Sequence, residues 1–87
     1  SMSDAVLTYQ GERVNLTKNE YRILLTLIEN KGKIVSRDVL MTKLWETDSF
    51  VDENTLTVNV TRLRKKLAEI GLEDFITTKK GVGYMVE

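Results

Sequence analysis

The spacing of apolar residues changes along the chain, and each change predicts an element. Val6 to Tyr9 and Arg13 to Leu16 are β-favouring runs, with Leu7 and Tyr9 on one face and Val14 and Leu16 on another. Gln10-Gly11 lies between them, and glycine permits the positive φ of a tight hairpin turn. Strands this short need a helix to lean on. Thr17-Lys18-Asn19-Glu20 matches a capping box, with Leu16 and Tyr21 placed as a hydrophobic staple. Tyr21, Leu24, Leu25 and Ile28 then fall at i, i+3, i+4 and i+7, which predicts a helix burying that face. Gly32 stands where a left-handed C-cap belongs, with Lys31 near the negative helix end.

Ile34-Val35 reads as a short extended bridge, and Ser36 as the N-cap of a second helix with Asp38 in its first turn. Val39, Leu40 and Leu44 form its expected inner face, and Trp45 ends the pattern. Glu46 to Asp52 holds no period; it carries Glu46, Asp48 and Asp52 without a base and reads as a loop. Leu56, Val60, Leu63, Leu67 and Ile70 then repeat at spacings of 4, 3, 4 and 3, predicting a third helix over about 54–70, closed by Gly71. Residues 75–78 and 84–86 are β-rich, and Lys79-Lys80-Gly81-Val82-Gly83 between them forms a basic hairpin tip.

The order is hairpin, helix, short strand, helix, loop, helix, hairpin. This predicts an α+β fold, a winged helix-turn-helix with short N-terminal antiparallel strands, three helices and a C-terminal β-hairpin wing. In such folds the last helix enters the major groove and the hairpin reaches the neighbouring backbone or minor groove. With the apolar stripe of the third helix turned down, at ~100° per residue, the top carries Asn54, Val58, Thr61, Arg62 and Lys65. Thr57 and Ala68 lie on one shoulder. Arg can bond guanine bidentately, Asn can pair with adenine, and Val or a Thr methyl can touch the thymine methyl. Lys65 and Lys66 suit phosphates. The competing reading is a solvated helix face.

Composition narrows the chemistry. Eighty-seven residues allow one small domain, and no proline, repeat or low-complexity stretch divides it. Ser1-Met2 reads as a cleavage scar before a start or cloning codon, leaving 3–87 as a single domain. The absence of Cys and His excludes disulfides, thiolate or His metal sites, and Cys or His catalysis. No spacing pairs another nucleophile with a base, so no enzyme, cofactor or metal is expected. No run approaches the ~18 apolar residues of a membrane span. Thirteen basic and thirteen acidic residues cancel, whereas nucleic-acid binders are usually basic. The distribution is polarised, however. Residues 54–67 hold four bases and no acid, and the remainder holds nine bases against thirteen acids.

Leu16 to Val86 resembles the DNA-binding effector domain of OmpR/PhoB-type response regulators. The resemblance is carried by Leu16-Thr17-Lys18-Asn19-Glu20-Tyr21-Arg22-Ile23-Leu24, Val35-Ser36-Arg37-Asp38-Val39-Leu40 and Trp45. It continues through Val58-Asn59-Val60-Thr61-Arg62-Leu63-Arg64-Lys65-Lys66-Leu67 and Lys80-Gly81-Val82-Gly83-Tyr84. Within the family the pattern is similar to the GraR/BceR kind, the cell-envelope-stress regulators of Gram-positive bacteria.

The resemblance implies that Val58, Thr61 and Arg62 face the major groove, that Asn54 starts the recognition helix, and that Asn59 flanks it near phosphates. It implies a phosphate contact for the Trp45 indole N–H, for which core packing is the alternative. Thr78, Lys80 and Tyr84 match wing positions, Tyr84 more as a packing residue with a polar tip. Lys79 departs from the family's apolar residue and adds charge to the wing. Gly81 and Gly83 are expected to permit the tight hairpin, and Arg64 to form an ion pair.

The loop of Glu46, Thr47, Asp48, Ser49, Phe50, Val51 and Asp52 corresponds to one that meets RNA polymerase. A phosphoacceptor receiver domain, absent here and controlled by a sensor kinase, is implied to precede this domain in the full protein, which would be cytoplasmic. The family usually opens with a four-stranded sheet, and the few residues before Leu16 predict two or three strands. The implied partners are direct-repeat half-sites of promoter DNA, bound by two copies head to tail, with the isolated domain a monomer. The alternative is a protein-interaction winged helix without DNA binding, which the zero net charge and the acidic loop favour.

Overall fold

The computed structural model describes residues 5–47 and 50–87. The expectations for Ser1-Met2, Asp48 and Ser49 fall outside the described residues. The chain opens with β1 (Ala5–Tyr9) and β2 (Glu12–Leu16), an antiparallel pair in which Leu7 faces Val14. Gln10 and Gly11 both take positive φ, 49° and 86°, so the turn twists in the sense that strand twist requires. Among the described residues these two strands form the N-terminal sheet, within the two or three strands expected.

Helix α1 (Lys18–Glu29) starts on the predicted capping box: the Glu20 N–H donates to Thr17 Oγ1 (3.2 Å) and the Thr17 N–H to Glu20 Oε1 (2.9 Å). Its buried face differs from the one expected. Ile23, Leu24 and Leu27 are buried with Glu20, whereas Tyr21 and Ile28 are each 45% exposed. Both stripes fit a helical period. The helix is turned by Glu20, whose carboxylate must face the ammonium of Lys66, 2.6 Å away. Gly32 is left-handed as expected, but two positions after the C-cap: Asn30 caps α1, and Gly32 (φ 84°) sits in a turn closed by the Lys33 N–H on Asn30 O.

Strand β3 (Val35–Ser36) leads into α2 (Arg37–Trp45), whose N-cap is Ser36, with Oγ accepting from the Val39 N–H (3.1 Å). Leu40 and Leu44, four apart, are fully buried; Val39 is displaced around the helix and 45% exposed, contrary to the inner face expected for it. Helix α3 (Glu53–Glu69) begins on Asp52, which accepts from the Thr55 N–H (2.8 Å). The full predicted stripe of Leu56, Val60, Leu63, Leu67 and Ile70 is buried. Its end is a Schellman motif. Gly71 (φ 97°) donates to Ala68 O and Leu72 to Leu67 O.

The wing is β4 (Thr77–Lys79) and β5 (Gly83–Met85), with Thr78 opposite Tyr84. β4 starts later than expected because the Ile76 carbonyl is taken by the Arg64 guanidinium. The wing is also wider than a hairpin. β3 pairs with the free edge of β5, Val35 opposite Tyr84, so the sheet order is β3-β5-β4. Gly83 is required by this approach, since a Cβ there would lie 2.0 Å from Val35 O. Gly81, by contrast, serves the turn with a φ of 75°. Leu16, Ile23, Leu27, Leu40, Leu56 and Leu63 centre one core beneath helices and wing, closed at its edge by Ile76 and Val86. The fold is the expected α+β winged helix-turn-helix.

Candidate nucleic-acid interface

The outward face of α3 divides its polar residues into two sets. Asn54, Thr61, Arg62 and Lys65 are exposed and Val58 is half-buried among them. Among the described residues no ion pair or side-chain hydrogen bond holds Arg62 or Lys65. Thr61 spends its hydroxyl proton on Thr57 O (2.9 Å), which leaves its methyl and lone pairs outward. This is the donor, acceptor and methyl set that base edges require.

The other polar residues of α3 are engaged inside the molecule. Asn59, expected near phosphates, is buried with its amide on Thr55 O (2.9 Å). Lys66, expected on a phosphate, forms the ion pair with buried Glu20. Thr57 accepts from the Arg37 Nη2 (2.9 Å) and donates to Glu53 O. Arg64 makes no ion pair among the described residues; its Nη2 donates to Ile76 O (3.0 Å) and to the Thr78 hydroxyl. Thr78 is thus tied to the helix it flanks.

In the wing, Lys80 is exposed and Lys79 half-buried, and the Val82 N–H closes the tip on Lys79 O (2.8 Å). Tyr84 is buried, and its hydroxyl accepts from Arg37 Nη1 (2.7 Å), so it packs with a polar tip as expected. Arg37 was not singled out from the sequence, where it reads as one surface base in a helix's first turn. Its Nε donates to Glu53 Oε1 (2.7 Å), and this hydrogen bond is the chief reason its pKa stands above the ordinary value.

Trp45 departs from the core-packing alternative. It is 57% exposed, which rules out core packing, and its indole N–H donates to Val51 O (3.1 Å). The ring stacks on Phe50, 81% exposed, with centroids 6.0 Å apart. The loop divides as well. Val51 is in the core, Asp52 caps α3 from an exposed position, Glu46 and Phe50 are exposed, and Thr47 is half-buried. No helix among the described residues is long and apolar enough to cross a membrane, and no group of three potential ligands is placed to hold a metal.

Residues 11–86 match the model of the family described as "Transcriptional regulatory protein, C terminal". The chain belongs to this family. Among its relatives, the sensory transduction protein BceR of Halalkalibacterium halodurans is 53% identical over 85 residues, covering 98% of this chain and 36% of that protein. The response regulator protein GraR of Staphylococcus saprophyticus is 48% identical over 92 residues, covering 98% of this chain and 41% of that protein. The chain therefore spans well under half the length of these relatives.

Two solved members of the fold are similar throughout. The C-terminal domain of the nisin resistance regulator NsrR superposes with a TM-score of 0.84 at 44% identity, covering 97% of this chain and 91% of that one. The DNA-binding domain of the response regulator AdeR, solved with an intercistronic region, gives 0.81 at 30% identity, covering 94% and 83%. The OmpR/PhoB resemblance and its GraR/BceR branch are thereby borne out.

Proposed function

We propose that this chain binds duplex DNA sequence-specifically as the effector domain of a two-component transcriptional response regulator. Helix α3 enters the major groove, and the wing lies on the adjacent backbone or minor groove. The observation that carries this reading is the sorting of cations on α3: Arg64 and Lys66 are held inward, while Arg62 and Lys65 stand free on one face. Asn54, Val58, Thr61 and Arg62 read base edges, and Lys65, Lys79 and Lys80 meet phosphates. Thr57, Thr78 and Tyr84 join the two elements through Arg37 and Arg64, while Lys66 ties α3 to α1 and Asn59 is bonded within the helix. The DNA complex of AdeR supports the reading.

A receiver domain under a sensor kinase completes the full protein and brings two copies head to tail onto direct repeats. The Trp45–Phe50 stack beside Glu46 faces a protein partner, RNA polymerase in this reading. Selection of random duplexes by the chain, followed by gel shifts in rising salt, tests the proposal. A recurrent motif with salt-sensitive binding supports it. Binding to no duplex at any salt favours a protein-interaction module instead.

A further inference from the structure

The two elements that meet DNA are not held together by their backbones. Helix α3 packs on α1, α2 and β2, and its link to the wing runs through side chains. Arg37 is at the centre of that link. Its own N–H donates to Val82 O at the wing tip (3.4 Å), and it follows Ser36, which pairs with Gly83 in β5. Its side chain reaches the first turns of α3, donating to Glu53 Oε1, Glu53 O (2.6 Å) and Thr57 Oγ1. Its remaining arm donates to the Tyr84 hydroxyl. Arg64 makes the reciprocal connection, with its backbone in α3 and its guanidinium on Ile76 O and Thr78. Both guanidinium carbons lie near the Tyr84 ring, 5.9 Å from its centroid for Arg37 and 5.8 Å for Arg64.

We propose that Arg37 is a positioning residue for DNA recognition, which with Tyr84 and Arg64 fixes the angle between α3 and the wing. This rests on the DNA-binding reading above. Arg37 itself has no reach to spare: four of the five donors of a guanidinium are spent inside the molecule. The planar fork gives those bonds fixed directions, so the acceptors on α3 and β5 cannot slide independently. An apolar contact between the elements would hold them together without fixing their angle. A correct angle decides whether Lys79 and Lys80 meet phosphates while Arg62 meets a base.

The test is equilibrium binding of the duplex that the unmodified chain selects from a random pool, and of a scrambled duplex, with and without Lys80→Ala. Arg37→Met is expected to weaken the selected duplex about tenfold and the scrambled one much less. Lys80→Ala is expected to cost affinity in the unmodified chain and far less beside Arg37→Met, because a misplaced wing has no contact to lose. Arg37→Lys is expected not to rescue, since one ammonium cannot span acceptors on two elements. Tyr84→Phe, which keeps the ring, is expected to give an intermediate loss.

A folded Arg37→Met chain that binds both duplexes as the unmodified chain does would overturn the inference, as would an equal cost of Lys80→Ala in both backgrounds. If Arg37→Met does not fold, the same cycle of Lys80→Ala with Tyr84→Phe decides on the same criterion. An unmodified chain that selects no duplex overturns the DNA-binding reading, and this inference with it.

Discussion

Four cations within one turn and a half of α3 have different fates, and the partner decides each. Glu20 is 1% exposed, and Lys66 is its ion-pair partner. Removing that partner leaves a buried carboxylate uncompensated, so Lys66→Met should lower stability by about 1–3 kcal/mol in urea denaturation. It should leave the salt dependence of DNA binding unchanged. Lys65→Ala should do the reverse, reducing the slope of log affinity against log salt by about one unit at constant melting temperature. The sequence shows these as neighbouring lysines and cannot separate them, because the deciding carboxylate is 46 positions away. Glycine behaves similarly. Gly81→Ala meets open space and costs only its left-handed backbone, about 1–2 kcal/mol. Gly83→Ala drives a methyl into the Val35 carbonyl and should lose much more, since neither strand can give way. Denaturation midpoints of the two variants check the order.

At the scale of elements, local chemistry was legible and facing was not. The capping box of α1, the Ser36 cap of α2, the Gly71 terminus of α3 and the Gln10-Gly11 turn are all written in adjacent residues, and all are present. The stripe of α3 was unambiguous because its other face is polar. Helix α1 has apolar residues on more than one face, so periodicity alone could not choose between stripes, and a polar pair with α3 chose. The pairing of β3 with β5 joins residues nearly fifty positions apart and has no local signal.

Helix α3 also predicts a pH effect. The Thr55 N–H bonded to the Asp52 carboxylate holds its pKa below the ordinary 3.8. The folded state therefore favours the charged form. Its stabilisation is present above the ordinary value and is lost as pH falls through the lowered one. Asp52→Asn keeps a capping oxygen but removes this dependence. Melting temperatures of the two chains should differ most near neutral pH and converge under acid.

For the whole molecule, the zero net charge conceals an uneven distribution along the chain. Residues 54–67 are wholly basic among their charged positions, while the rest carries the acidic excess. Of those four bases, two are internal ties, so in the proposed reading a single copy offers DNA Arg62, Lys65 and the wing lysines, which have no ion pair among the described residues. A module with so few phosphate contacts should bind random DNA weakly and gain from a second copy held beside it. Two copies joined by a flexible linker should bind a selected direct repeat at least tenfold tighter than one copy binds a half-site, about 1.4 kcal/mol or more. Equal affinities in a titration of both forms would show that the copies do not act together.

In the proposed reading, the free face of α3 reads base edges. The most direct measurement is the affinity of Arg62→Ala for the selected duplex and for a scrambled one at the same salt. The expected result is a loss of roughly 1–3 kcal/mol on the selected duplex, with specificity relaxed at one position and little change on the scrambled one. An equal loss on both duplexes, or none on either, would contradict it.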